Sequence, residues 1–367
     1  MPVKNLLEDR SPVRRKHATT HLLITVLCFA FSVTATRVFL NLTGFPQIGG
    51  GNLHIAHVLW GGLFLFIASL LPLIWVNPWA LNLSALLSGL GVGLFIDEVG
   101  KFITSTNNYF YPSAAPIIYA FFLLTVLVFV QVKHKKEVNS RELMYGILED
   151  FAEVLDHDLS KVEYDRLINE LNVVIRDNEE VQLVTLARNL QEYLKSRQNA
   201  LVEHHPDLLE RIAETWRKFI NKWLTRKRFQ VVLIVGLLIW AGWAISSQTV
   251  MFLTTHNGEK LEQLVQQFMA AELIRNSSGM NAFEAQILME GAMGIAALVA
   301  VVLFLLKKDR PATWIGIIDL VFTLVVVNLI TFYFDQFSTI AFAAFQFPLL
   351  VLLIYYKRKF LDRKSNS

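Results

Sequence analysis

Apolar residues occur along this chain in eight long blocks, and polar residues gather between them. A segment carrying Lys4, Arg10, Arg14, Arg15 and Lys16 precedes the first block. That block starts near His21 and runs for about 20 residues, longer than the apolar core of a cleavable signal peptide, which predicts a signal-anchor first span. Further runs predict spans at roughly 53–75, 79–98, 115–133, 229–250, 286–306, 312–334 and 338–356. The pattern predicts an all-α fold, a polytopic membrane bundle of about eight transmembrane helices. A small helical cytoplasmic domain is inserted between spans 4 and 5.

Two polar insertions carry a helical period instead of a continuous apolar run. In residues 134–228, Leu143, Ile147, Leu148, Phe151, Val154 and Leu155 recur at helical spacing, and Leu167, Leu171 and Val174 continue the pattern. About four helices are expected there, the last starting at Pro206. In residues 251–285, Leu261, Leu264, Val265, Phe268 and Met269 form one stripe among Glu259, Lys260, Gln263, Gln266 and Gln267. This outer amphipathic segment suits an interfacial helix or a lid on the bundle. The chain is thus read as membrane half one (1–133), the inserted domain (134–228) and membrane half two (229–367).

Composition agrees with that pattern: 54% of the 367 residues are hydrophobic and 18% are charged. The placement of charge says more than its total. With a cytoplasmic N-terminus, 30 of the 34 Lys and Arg fall on the cytoplasmic side, at the two termini, in 133–228 and in 307–310. Lys101, Lys260 and Arg275 fall outside, and Arg37 lies in the first span. The positive-inside rule then gives a cell (plasma or inner) membrane protein with both termini cytoplasmic. Basic residues at span ends, with no basic soluble face, give a nucleic-acid partner no support. Cys28 is the single cysteine and sits in an apolar run, so neither a disulfide framework nor a thiolate metal site is expected. The inserted domain holds no phosphate loop or metal motif; it reads as a packing or dimerisation module, or as a site for a cytoplasmic partner. The bilayer is the other partner expected.

Two short stretches carry the candidate chemistry. Gly49-Gly50-Gly51-Asn52-Leu53-His54-Ile55-Ala56-His57-Val58-Leu59-Trp60-Gly61 opens the second span, and Gly89–Thr106 closes the third with Asp97 and Glu98. The second span starts outside and the third ends there, so these groups come to one depth. Ionisable groups at membrane depth mark a functional site by default. His54 and His57 are three apart and share a helix face, whereas Ala85, Gly89, Gly93 and Asp97 recur every four residues, which turns Asp97 into the bundle. His54, His57 and Asp97 form a candidate metal set for zinc or iron, able to supply hydroxide near neutral pH. Glu98 is turned by about 100° from Asp97 on a helix and is read, with Lys101, as the catalytic or supporting pair. Asn108 and Tyr109, in a polar aromatic loop, are candidate binding residues. The plain alternatives are two interfacial histidines, and carboxylates paired with Lys101 at i, i+3 and i, i+4.

A faint internal echo extends the candidate set. Glu290-Gly-Ala-Met-Gly294 opens the sixth span as His57-Val-Leu-Trp-Gly61 opens the second, and Asp335 closes the seventh as Asp97 closes the third. Parallel repeats of this kind occur in transporters, which adds Glu290 and Asp335 as binding candidates. Asp319, within the seventh span, is either a proton relay or bonded to a neighbour.

The runs His54-Ile-Ala-His57-Val-Leu-Trp60-Gly61 and Gly91-Val-Gly93-Leu-Phe-Ile-Asp97-Glu98 resemble those of a group of uncharacterised prokaryotic polytopic membrane proteins. These carry an HxxHxxWG-like run and, one span later, a GxGxxxDE run. The resemblance covers roughly 49–112 and implies a bacterial-type inner membrane protein, with no activity to carry over. Seven-span ceramidase-like hydrolases fit less well, because no histidine follows His256 to supply their later pair. Three readings stand at this point: a metal-dependent hydrolase acting on a lipid or amphiphile, a proton- or ion-coupled transporter or channel, and a membrane sensor signalling through 134–228.

Overall fold

The computed structural model is described for residues 11–44, 56–134, 139–196 (apart from 157 and 179), 201–202, 225–255, 277–335 and 339–362, with single residues at 211, 215, 263, 266 and 269. Its helices are α1 (Ala18–Thr43), α2 (His57–Ile74), α3 (Pro78–Asp97), the short α4 (Val99–Ile103), α5 (Ala114–Lys133), α6 (Ser140–Leu155), α7 (Lys161–Asp177), α8 (Val181–Ser196), α9 (Arg226–Thr255), α10 (Ser277–Leu305), α11 (Asp309–Phe322), α12 (Asn328–Asp335) and α13 (Thr339–Tyr356). Five-residue π-helical stretches follow α11 (Thr323–Val327) and α13 (Lys357–Leu361). Among the described residues, eight helical stretches, with the seventh running from α11 through α12, are long and apolar enough to cross a membrane. The protein therefore has the architecture of a multi-pass membrane protein. Helical spans satisfy every backbone hydrogen bond within the segment, which is what a bilayer interior demands.

Helix ends differ from the sequence expectation where apolarity and helix propensity separate. α9 continues to Thr255 and α10 begins at Ser277, beyond the apolar runs at 229–250 and 286–306. Ser, Gln, Thr and Ala at these ends are tolerated in a helix although they are not apolar enough to mark a span. Most of the expected outer segment 251–285 lies outside the described residues, as does the expected helix from Pro206.

Contacts divide the chain into two compact units that interleave along the sequence. The first consists of Met1–Ala30, Gly62–Val92 and Thr125–Ala213, and the second of Phe31–Gly61, Gly93–Leu124 and Glu214–Ser367.

In the first unit, α6, α7 and α8 enclose a core of Ile147, Leu167, Leu171, Val174, Ala187 and Leu194, all fully buried. The helix starts are set locally. Asn139 accepts from Glu142 N–H, and Ser160 and Glu163 form a reciprocal capping box. The segment before α1 is tied to this core by charge. Lys16 Nζ lies 2.6 Å from Asp150 Oδ2 and 2.9 Å from Glu170 Oε2, and Arg166 and His17 also face Asp150. Gly89 permits a close approach of α3 to α1, since a Cβ there would fall 2.4 Å from Thr25 O and 2.7 Å from Cys28 Cβ.

In the second unit, α9, α10, α11 and α13 surround Leu233, Leu237, Trp240, Ala241, Ala297, Ala300, Leu320 and Leu353. α5 joins them through Tyr119, whose ring stacks on Phe332 at 4.5 Å and whose hydroxyl donates to Leu324 O at 2.7 Å. Leu324 belongs to the π-helical stretch, where the irregular ladder leaves a carbonyl within reach of an outside donor.

Candidate functional site

The second unit holds a compact group of charges where α3 ends. Helix α3 stops at Asp97, and Glu98 leaves the helix with φ −91° and ψ 9° before the short turn α4. This break decides the geometry. Glu98 is not simply one helical step round from Asp97, and two adjacent carboxylates reach opposite sides of one imidazole. His57 is the first residue of α2, with Nε2 3.0 Å from Asp97 Oδ2 and Nδ1 2.9 Å from Glu98 Oε1.

Asp97 is fully buried and, besides facing the imidazole, accepts from two side chains. Arg37 Nε donates to Oδ1 at 2.5 Å, and Tyr109 OH donates to Oδ2 at 2.7 Å beside the imidazole. Arg37 Nη2 also donates to the Asp97 backbone carbonyl at 3.0 Å. That carbonyl is among those a helix C-terminus leaves unpaired, where a cation is favoured. Arg37 therefore neutralises Asp97 and caps α3 at once. Its guanidinium carbon lies 4.2 Å from the Tyr109 ring centroid, a cation–π contact. Glu98 is equally buried and takes Lys101 Nζ at 3.2 Å on Oε2. Its Oε1 meets His57 only as an ion-pair contact and has no aligned hydrogen-bond donor among the described residues.

The loop after α4 delivers Tyr109. Thr104 Oγ1 donates to Gly100 O at 2.7 Å and accepts from Asn108 N–H at 2.8 Å, while Asn107 takes φ 52°, a left-handed value that asparagine tolerates. Asn108 Oδ1 accepts from Phe110 N–H at 2.9 Å, so this expected binding residue shapes the turn. Burial above all, and then the adjacent Asp97 carboxylate, pushes the Tyr109 phenol above its ordinary value of 10.0. Tyr109 thus stays a hydrogen-bond donor. Gly100 makes room for the loop, since a Cβ there would meet Asn108 O at 2.8 Å and Tyr109 O at 3.0 Å.

Of the candidates read from sequence, His57, Asp97, Glu98, Lys101 and Tyr109 come together. His54 lies outside the described residues. Glu290 is buried on α10, and Asp335 is exposed at the end of α12. Arg37 is the member of this charge group that pattern reasoning passed over. A lone arginine inside an apolar span was the signal for it, because such a charge requires a partner at the same depth.

The arrangement bears directly on the expected metal set. Both Asp97 oxygens are engaged by protein donors, and both His57 nitrogens face carboxylates. Among the described residues no group of three or more His, Cys, Asp or Glu is disposed to hold a metal ion. A guanidinium 2.5 Å from the carboxylate fits an ion pair better than a metal ligand.

A second buried carboxyl lies elsewhere in the same unit. Asp319 accepts from the Trp240 indole N–H at 3.2 Å through Oδ2, while Oδ1 has no hydrogen-bond partner among the described residues. Its neighbour is therefore an indole. Thr323, one turn on and also buried, has no side-chain hydrogen-bond partner among the described residues and begins the π-helical stretch.

Comparison of the chain with protein-family models, with curated proteins and with solved structures gives no match. The chemistry of the side chains carries the functional reading.

Proposed function

We propose that this protein is a proton-coupled membrane transporter that exchanges protons for a cationic solute at the His57 site. The observation that carries the reading is one imidazole set between two buried carboxylates. Histidine is the side chain whose ordinary titration falls in the physiological range. With a proton on each nitrogen, His57 offers an N–H to Asp97 and a positive charge to Glu98. With one proton removed, a ring lone pair faces a carboxylate, and the contact turns repulsive.

Charge balance gives the direction of coupling. Arg37 and Lys101 offset Asp97 and Glu98, so the ring proton is the surplus charge of the site. When it leaves, Glu98 Oε1 is the acceptor left ready for another cation, since it lacks an aligned donor already. Proton and cation then compete for one carboxylate, which is the logic of exchange. Asp319 adds a further ionisable group at membrane depth. A hydrolase built on His57 and Asp97 would first have to break the Arg37 and Tyr109 bonds to Asp97.

On the positive-inside pattern, both termini and the α6–α8 domain lie in the cytoplasm and the His57 site faces the opposite side, in an inner or plasma membrane. The α6–α8 domain then serves as a packing or dimerisation module, or receives a cytoplasmic partner. The test is reconstitution of the full chain in proteoliposomes holding a pH-sensitive dye. Imposed gradients of sodium, potassium or a primary amine should drive opposite proton movement. Internal pH unchanged under every gradient would contradict the reading.

A further inference from the structure

Independently of that reading, a second site is built in the second unit where α11 begins. A cleft of about 420 Å³ is lined by Arg226, Lys307, Lys308, Asp309, Arg310 and Phe360, among others. Four basic side chains surround one carboxylate there. The cleft also opens at the N-terminus of α11, a 14-residue helix whose first-turn N–H groups favour an anion. Lys307 holds φ 59°, a left-handed turn that sets two consecutive lysines and Arg310 around one opening.

Asp309 is the carboxylate set among these basic groups. It is 7% exposed, and its Oδ2 is held by Arg226 Nη2 at 2.7 Å and by Tyr356 OH at 2.8 Å. Its Oδ1 has no hydrogen-bond partner among the described residues. A buried carboxylate oxygen left bare inside a basic cleft calls for a donor carried by the same ligand that brings the negative charge.

The surroundings say where such a ligand comes from. Arg310, Trp314 and Ile318 follow at four-residue spacing on α11, and Trp314 and Ile318 are 51% and 63% exposed. Lys357 Nζ lies 3.9 Å from the Trp314 ring centroid. Charge, then tryptophan, then aliphatic side chain is the order of a membrane interface, with basic groups at headgroup level and an apolar track beneath.

We propose that this cleft binds the headgroup of a phosphatidylglycerol-type lipid. The phosphodiester would sit among Lys307, Lys308 and Arg310 at the start of α11, a glycerol hydroxyl would donate to Asp309 Oδ1, and the acyl chains would lie along Trp314 and Ile318.

Native mass spectrometry of the detergent-solubilised full chain, given equal amounts of phosphatidylglycerol and phosphatidylcholine, tests this. Phosphatidylglycerol should be retained at least about tenfold over phosphatidylcholine, a margin of about 1.4 kcal/mol. The double variant Lys308→Gln/Arg310→Gln changes only exposed side chains and should lose most of that preference while melting at the wild-type temperature. Asp309→Asn keeps an acceptor for Arg226 but gains an amide, and should narrow the preference without removing phosphate binding. Equal retention of both lipids, or full retention in the double variant, overturns the proposal. Displacement of the lipid by millimolar inorganic phosphate would assign the cleft to a soluble phosphate and overturn the lipid assignment.

Discussion

His57 Nε2 lies 3.0 Å from Asp97 Oδ2 although 40 residues separate them in the chain. The contact joins the start of α2 to the end of α3, and everything else in the site supports it: Arg37 and Tyr109 hold Asp97, and Glu98 with Lys101 holds the far side of the ring.

Asp97→Asn should be strongly destabilising, because it leaves the buried Arg37 guanidinium without its counter-charge. Loss of one partner of a buried pair costs about 3–5 kcal/mol. Replacing both at once, as Arg37→Met with Asp97→Leu, should recover most of the loss while abolishing function. Unfolding of the detergent-solubilised variants measures both. A single Asp97→Asn variant as stable as wild type would show that the pair is not formed.

Gly100→Ala tests whether the loop position matters. The added methyl would lie 2.8 Å from Asn108 O and 3.0 Å from Tyr109 O, so the loop must shift, which disturbs the Tyr109 bond to Asp97. The expected outcome is faster hydrogen exchange in 104–111 and weaker proton coupling, with Tyr109→Phe reproducing the second effect alone. Unchanged exchange and coupling in Gly100→Ala would contradict this packing.

Gly89→Leu should be harsher than Gly89→Ala, since Thr25 O and Cys28 Cβ already occupy the space beyond Cα. Overpacking of this kind costs about 1–3 kcal/mol. The loss should appear as lowered melting temperature and, if the helices part, as faster labelling of Cys28 by a small thiol reagent. A stable Gly89→Leu with unlabelled Cys28 would refute the close approach of α1 and α3.

The clamp between the N-terminal segment and α6 should have an acidic optimum. The Asp150 carboxylate holds His17 above its ordinary 6.5, against the opposing effect of burial. That contribution is complete below 6.5 and is lost as pH rises through the folded value. Burial works to raise Asp150, but His17 and Lys16 outweigh it and hold the carboxyl below 3.8. That contribution is present above 3.8 and is lost as pH falls through the folded value. The two overlap between 3.8 and 6.5. Exchange protection of α6, corrected for intrinsic rate, should be greatest there and fall as pH rises beyond it. His17→Gln should remove the alkaline decline, and a decline of wild-type size in that variant would contradict the assignment.

The eight apolar helices were legible because a bilayer-length run admits few readings, and α6 and α7 because their apolar residues keep a strict helical period. The site was legible in part. His57 and Asp97 lie at matching ends of consecutive spans, which antiparallel connection brings to one depth. Arg37 was overlooked because nothing in its local sequence names a partner; only folding places it beside Asp97. The placement of Glu98 was obscured for a related reason. A uniform helix turns it away from Asp97, whereas the break after Asp97 lets both acids grip one ring. Asn108 reads as a site donor by composition, yet the Phe110 N–H takes its oxygen.

The most direct test compares wild type with His57→Gln in proteoliposomes, following internal pH while a cation gradient is imposed. Glutamine keeps a donor and an acceptor but cannot carry the proton. Wild type should move protons against the cation, and His57→Gln should fold and insert normally yet move none above empty vesicles. Proton movement at the wild-type rate in His57→Gln would contradict the account.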